Sequence, residues 1–95
     1  MEARLWQLNR RTKLHWRSLD DEWVVFDSAS GDTHHLDGIS AAVLMCLEAD
    51  AYDLDGLIGV LASELNLPKD DGLASRLESL LGQLSRLELI EPVEP

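Results

Sequence analysis

The sequence predicts an α+β fold of winged helix-turn-helix type, a small three-stranded antiparallel sheet followed by three helices. Three observations carry this. Residues 23–37, Trp-Val-Val-Phe-Asp-Ser-Ala-Ser-Gly-Asp-Thr-His-His-Leu-Asp, read as two short strands around a tight turn. Residues 13–19 alternate apolar and polar side chains, the period of a half-buried strand. Everything after Asp37 falls into three leucine-patterned segments, each opening on an aspartate.

The elements follow in chain order. Residues 4–8 and 13–19 both alternate, so either can supply the first strand, with Asn9 to Thr12 as a connection. In the second segment Leu14, Trp16 and Ser18 share one face, and Lys13, His15 and Arg17 the other. Asp20 and Asp21 make a turn. Trp23 to Phe26 is a β-branched and aromatic run, apolar on both faces. Ser28 to Gly31 form the next turn, where Gly31 is free to take positive φ. Residues 32–36 return as a short polar strand at the sheet edge.

Asp37 is a good N-cap, because its carboxylate accepts from the first free helical N–H groups. Helix one is expected over 38–49, with Ile39, Val43, Cys46 and Leu47 on one face. Asp53 caps helix two over 54–65, whose Leu54, Leu57, Ile58, Leu61 and Leu65 keep helical spacing. Asn66 and Pro68 end it. Asp70 or Asp71 starts helix three over 71–88, where Leu73, Leu77, Leu80, Leu81, Leu84 and Leu87 form a stripe too short for a coiled coil. Leu89 and Ile90 pack back onto the body, and residues 92–95 are a tail. With 95 residues the chain is expected to form one domain over 1–95, residues 1–12 being an N-terminal arm or first strand.

Charge narrows the partners. The net charge is −10, unevenly spread. Residues 1–19 carry Arg4, Arg10, Arg11, Lys13 and Arg17 against Glu2 alone, a balance of +4. Residues 20–95 carry three cations against 17 acids, a balance of −14. A DNA recognition helix needs Lys and Arg. Helix two has neither, and helix three holds Arg76 and Arg86 among acids, so nucleic-acid binding is disfavoured. No apolar stretch approaches the ~18 residues of a membrane span, and the N-terminus has no signal-peptide core. The chain is expected to act in the cytoplasm, without a membrane.

Catalytic chemistry has little support. His34 and His35 are adjacent in a strand, so they point to opposite faces and do not share one metal ion. Most acids fall at caps, turns and outer helix faces. Cys46, the single cysteine, lies in an apolar run and reads as structural. Phosphate loops and nucleophile elbows are absent. No catalytic residue, metal site or cofactor is expected. What remains is binding: an edge strand over 32–36 leaves backbone groups to which an extended peptide adds as a further strand.

The chain also resembles the PqqD-like peptide chaperones, the precursor-peptide recognition elements. The resemblance rests on Phe26-Asp27, Ser30-Gly31, His34-His35-Leu36-Asp37, the small residues Ser40, Ala41 and Ala42, Tyr52 to Leu57, and the closing Leu84 to Ile90. It is most similar to the branch found beside HPr-kinase-related proteins. The resemblance implies a non-catalytic chaperone that binds the leader segment of a ribosomally made precursor and presents it to a separate modifying enzyme. It further implies that the leader adds to the strand Asp32, Thr33, His34, His35 and Leu36. The leader then lies against a helix face among Arg76, Leu77, Leu80, Leu81, Gln83 and Leu84. Which of those leucines face the groove and which the core is open at this point. A small adaptor or regulator of the same fold is the alternative, and a homodimer through the same edge is compatible with the sequence.

Overall fold

The computed structural model describes residues 4–93. Three strands build the main sheet in the order β2-β3-β4: β2 Leu14–Leu19, β3 Glu22–Asp27 and β4 Asp32–Leu36. A shorter strand, β1 Trp6–Leu8, precedes them. Both pairings are antiparallel, with Leu14 opposite Asp27 and Trp23 opposite Leu36. The central place of β3 explains its apolar run. Val25 is fully buried, while Phe26 on the other face stays 40% exposed. On the inner face Trp16 meets Trp23 edge to face, ring centroids 6.0 Å apart.

The two turns use the residues that tolerate left-handed backbone. Asp20 has φ 56° between β2 and β3, within reach of a short polar side chain. Gly31 has φ 83°, and its N–H donates to the Asp27 carbonyl at 2.8 Å. Asp27 also organises this turn through its side chain. It is buried at 5% exposure, and its Oδ1 accepts from the Lys13 and Ala29 N–H groups, both at 3.0 Å.

The Lys13 N–H is the main reason that the Asp27 carboxyl sits below the ordinary carboxylate range; Ala29 and Ser30 add to it, and burial opposes. A depressed folded pKa means stability that is present above the unfolded value of ~3.9 and lost as pH falls through the folded value. Asp27→Asn is therefore expected to destabilise by about 1–3 kcal/mol at pH 7, and the gap from the parent should narrow at pH 3. Urea unfolding at the two pH values measures it.

The helices are α1 Gly38–Ala49, α2 Leu54–Glu64 and α3 Asp71–Arg86. Each has the aspartate cap that the sequence indicates. Asp37 accepts from the Ser40 N–H (2.8 Å), Asp53 from Gly56 (2.7 Å) and Asp70 from Leu73 (2.9 Å). Helix three stops at Arg86, two residues before its predicted end, because Glu88 turns left-handed at φ 62°. Leu87, which still has helical backbone at φ −81°, falls outside the buried stripe and is 50% exposed. The same turn lets the Leu89 N–H reach the Leu84 carbonyl at 3.0 Å and buries Leu89 and Ile90.

A second sheet joins the chain ends. The strand β5, Ile90–Pro92, pairs with β1 antiparallel, Leu8 opposite Ile90 and Trp6 opposite Pro92. The sequence reading left one choice open here and departs from the structure in one place. Residues 6–8 lie outside the three-stranded sheet, and Pro92 closes a strand instead of opening a tail. The physical reason is long range: Trp6 exchanges backbone bonds with Tyr52 (2.8 and 3.0 Å), and Val93 N–H donates to the Leu5 carbonyl (2.9 Å). Residues 94 and 95 lie outside the described residues. One core holds all the elements, with Val25, Leu44, Leu57, Leu77, Leu84 and Ile90 at its centre. No helix among the described residues is long and apolar enough to cross a membrane.

Candidate peptide-binding edge

Hydrogen-bond parity fixes which groups of β4 are free. In an antiparallel pair the N–H and C=O of one residue point to the same side, and the side alternates along the strand. The Ser28 N–H donates to the Lys13 carbonyl at 3.0 Å. Ser28, Phe26 and Val24 thus direct their backbone toward β2, and Asp27, Val25 and Trp23 direct theirs toward β4. By the β3–β4 register, Asp32, His34 and Leu36 bond to β3. Thr33 and His35 turn their N–H and C=O groups outward, with no backbone partner among the described residues. The edge offers two donors and two acceptors, the pattern that one added strand satisfies.

Side chains alternate with the same period. Thr33 and His35 are exposed on the outer face beside Phe26 and Val24. His34 is half-buried on the inner face and Leu36 is buried there. His35 Nδ1 lies 3.3 Å from Glu22 Oε1, a surface contact of small energetic weight.

The α3 segment and the turn that follows it approach the two ends of this strand. At one end Arg76 Nη2 donates to Asp37 Oδ2 at 3.4 Å, just beyond Leu36. The Asp37 carboxyl is held below the usual range, first by the Ser40 N–H and also by the Arg76 charge. At the other end Asp32, Leu87 and Glu88 line one polar cleft of about 610 Å³, which Arg10 and Arg11 close from the β1–β2 connection. α3 therefore runs in the opposite sense to β4, from Arg76 near Asp37 to its exit near Asp32. Arg76, Gln83 and Leu87 fall on one helical line, at i, i+7 and i+11.

The eleven residues expected from sequence divide in two. Asp32, Thr33, His35, Arg76 and Gln83 are exposed, and His34 is half-exposed. Leu36, Leu77, Leu80, Leu81 and Leu84 are buried, between 0% and 9% exposed. These leucines belong to the core cluster, and the four on α3 hold that helix in place. Sequence reasoning missed Leu87, which it assigned to the core stripe. It also missed an apolar cavity of about 450 Å³ beyond Arg76, lined by Trp23, Ile39, Ala42, Met45 and Leu65. The half-exposed stripe Ile39, Ala42 and Met45 at helical spacing is the signal for that cavity, but periodicity alone does not separate it from core.

The groups that would carry catalysis are dispersed. Asp37, Asp53 and Asp70 are caps. No group of three or more His, Cys, Asp or Glu side chains is placed to hold a metal ion among the described residues. Cys46 is half-buried, and burial, with the Glu64 carboxylate, pushes its thiol up, away from the thiolate form.

Among solved structures the chain is similar to TbiB1, determined in complex with the TbiA(beta) leader peptide. The TM-score is 0.69 at 18% identity, over 94% of this chain and 99% of that one. At that identity the likeness establishes the fold. No curated protein matches the chain. The family model described as coenzyme PQQ synthesis protein D (PqqD) matches residues 22–90. That span runs from the start of β3 to the first residue of β5, and the chain belongs to the PqqD family.

Proposed function

We propose that this chain is a non-catalytic peptide chaperone for the leader segment of a ribosomally made precursor. The leader adds as a fourth strand to β4 and rests against α3, and the chain presents it to a separate modifying enzyme. The observation that carries the reading is the pair of outward-facing residues, Thr33 and His35, flanked at one end by Arg76 of α3 and at the other by Leu87 just after it. Family membership supports it, as does the leader peptide in the complex of the similar TbiB1. Backbone bonds to Thr33 and His35 supply affinity without regard to sequence. Specificity comes from Arg76, Gln83 and Leu87 on one side and from Thr33 and His35 side chains on the other. Action in the cytoplasm belongs to the same proposal, since such precursors are made on ribosomes.

An amide-resolved NMR titration with the leader parts of precursors encoded beside this chain tests the reading. Shifts concentrated on Thr33, His35 and the 76–87 stretch are the expected result, with Kd on the order of micromolar. An absence of shifts with every such leader would overturn it.

A further inference from the structure

The main sheet has a second open edge, and the cationic segment of the sequence lies along it. By the same parity, Lys13, His15, Arg17 and Leu19 turn their backbone toward β3, since their partners are Ser28, Phe26, Val24 and Glu22. Leu14, Trp16 and Ser18 therefore turn three N–H and three C=O groups away from the sheet. None of these has a backbone partner among the described residues.

The side chains beside that edge are basic. Lys13, His15 and Arg17 stand on the outer face at alternate positions, all exposed, about 6.6 Å apart. Arg10 is engaged by Glu91 (3.3 Å), whereas Lys13 and Arg17 have no ion pair among the described residues. Of the acids near this strand, Asp27 is buried on the inner face, where it accepts from the Lys13 N–H, and Asp20 and Asp21 lie in the turn beyond Leu19. Glu22 lies against His35, and Glu48 on the inner side accepts from the Trp16 indole N–H at 2.8 Å.

We propose that β2 is a docking edge for a partner protein, taken as an extended segment with acidic side chains at alternate positions. Such a strand completes the six free backbone groups, and its outward carboxylates stand across from Lys13 and Arg17. A second copy of this chain is a poor occupant, because β2 against β2 sets these cations against each other. Screening over about 8 Å keeps the acidic remainder of the chain from cancelling the local attraction. The sheet would then run from captured peptide through β4, β3 and β2 to the partner. The inference concerns the edge opposite the leader site and stands or falls separately from it.

The test uses the full labelled chain and three probes at 150 mM salt, where that screening length applies. They are a blocked ten-residue peptide of alternating glutamate and valine, its lysine–valine counterpart, and a ten-residue thymidine oligonucleotide. The glutamate peptide is expected to shift the amides of Leu14, Trp16 and Ser18, and the other two probes are not. K13E/R17E should weaken that binding at least tenfold. Ser18→Pro, which removes one outward N–H without changing charge, should also weaken it, with the rest of the spectrum retained. Glutamate-peptide shifts confined to Thr33 and His35, no shifts at all, or equal response to the lysine peptide would overturn the proposal. An equal response to the oligonucleotide would overturn it in favour of a phosphate-binding strip.

Discussion

Thr33→Pro is expected to abolish peptide capture while the domain stays folded, and His34→Pro is expected to break the hairpin instead. The two positions are adjacent, yet they face opposite ways. The Thr33 N–H points out of the sheet, so proline removes no bond of the folded domain, and edge strands accept proline on their free side. In the complex the same change deletes a donor and sets the ring against the incoming strand. A ligand carbonyl left unpaired costs about 1–3 kcal/mol. The steric conflict adds to this, so a loss of 100-fold or more from a micromolar Kd is expected. His34 lies opposite Val25, and its N–H belongs to the β3 ladder. Proline there removes an internal bond beside a fully buried residue. Calorimetric titration and thermal unfolding of both variants separate the effects. Peptide affinity unchanged in Thr33→Pro would sink the edge-strand reading.

Much of the fold was legible because its determinants are local. The caps Asp37, Asp53 and Asp70 precede apolar repeats of helical period, and Gly31 marks a turn that needs positive φ. The pairing of β1 with β5 was not legible. It joins residues more than 80 positions apart through three-residue strands, too short for a period to register. The end of α3 was equally hidden, since a left-handed Glu88 breaks a leucine repeat that continues past it in sequence. At the candidate site, the strand and the helix could be read, but their division of labour could not. Buried Leu77 and exposed Leu87 occupy the same repeat, and what tells them apart is that Leu87 shares the helical line of exposed Arg76 and Gln83. Which of two adjacent residues offers its backbone likewise depends on register, and register appears only once Ser28 is seen to bond to Lys13.

That division gives the second large effect, on stability. Leu77 is fully buried in the core cluster with Leu57, Leu61 and Leu84. Leu77→Ala is expected to destabilise the domain by about 2–5 kcal/mol, through lost burial and the cavity left behind. For a small domain with about 5–15 kcal/mol in total, that is a large share. The peptide affinity of the molecules that remain folded should be unchanged, because Leu77 presents no surface to a ligand. Leu87→Ala should do the reverse. Its side chain is half-exposed at the mouth of the cleft, so stability should move by no more than about 0.5 kcal/mol, while peptide affinity falls several-fold. Urea unfolding and titration at a temperature where both variants are folded provide the comparison. If Leu77→Ala weakened binding and spared stability, the helix would be rotated from the orientation described, with its leucine stripe turned to the ligand. The contrast between the two leucines therefore tests the placement of α3 itself, on which the width and lining of the peptide groove depend.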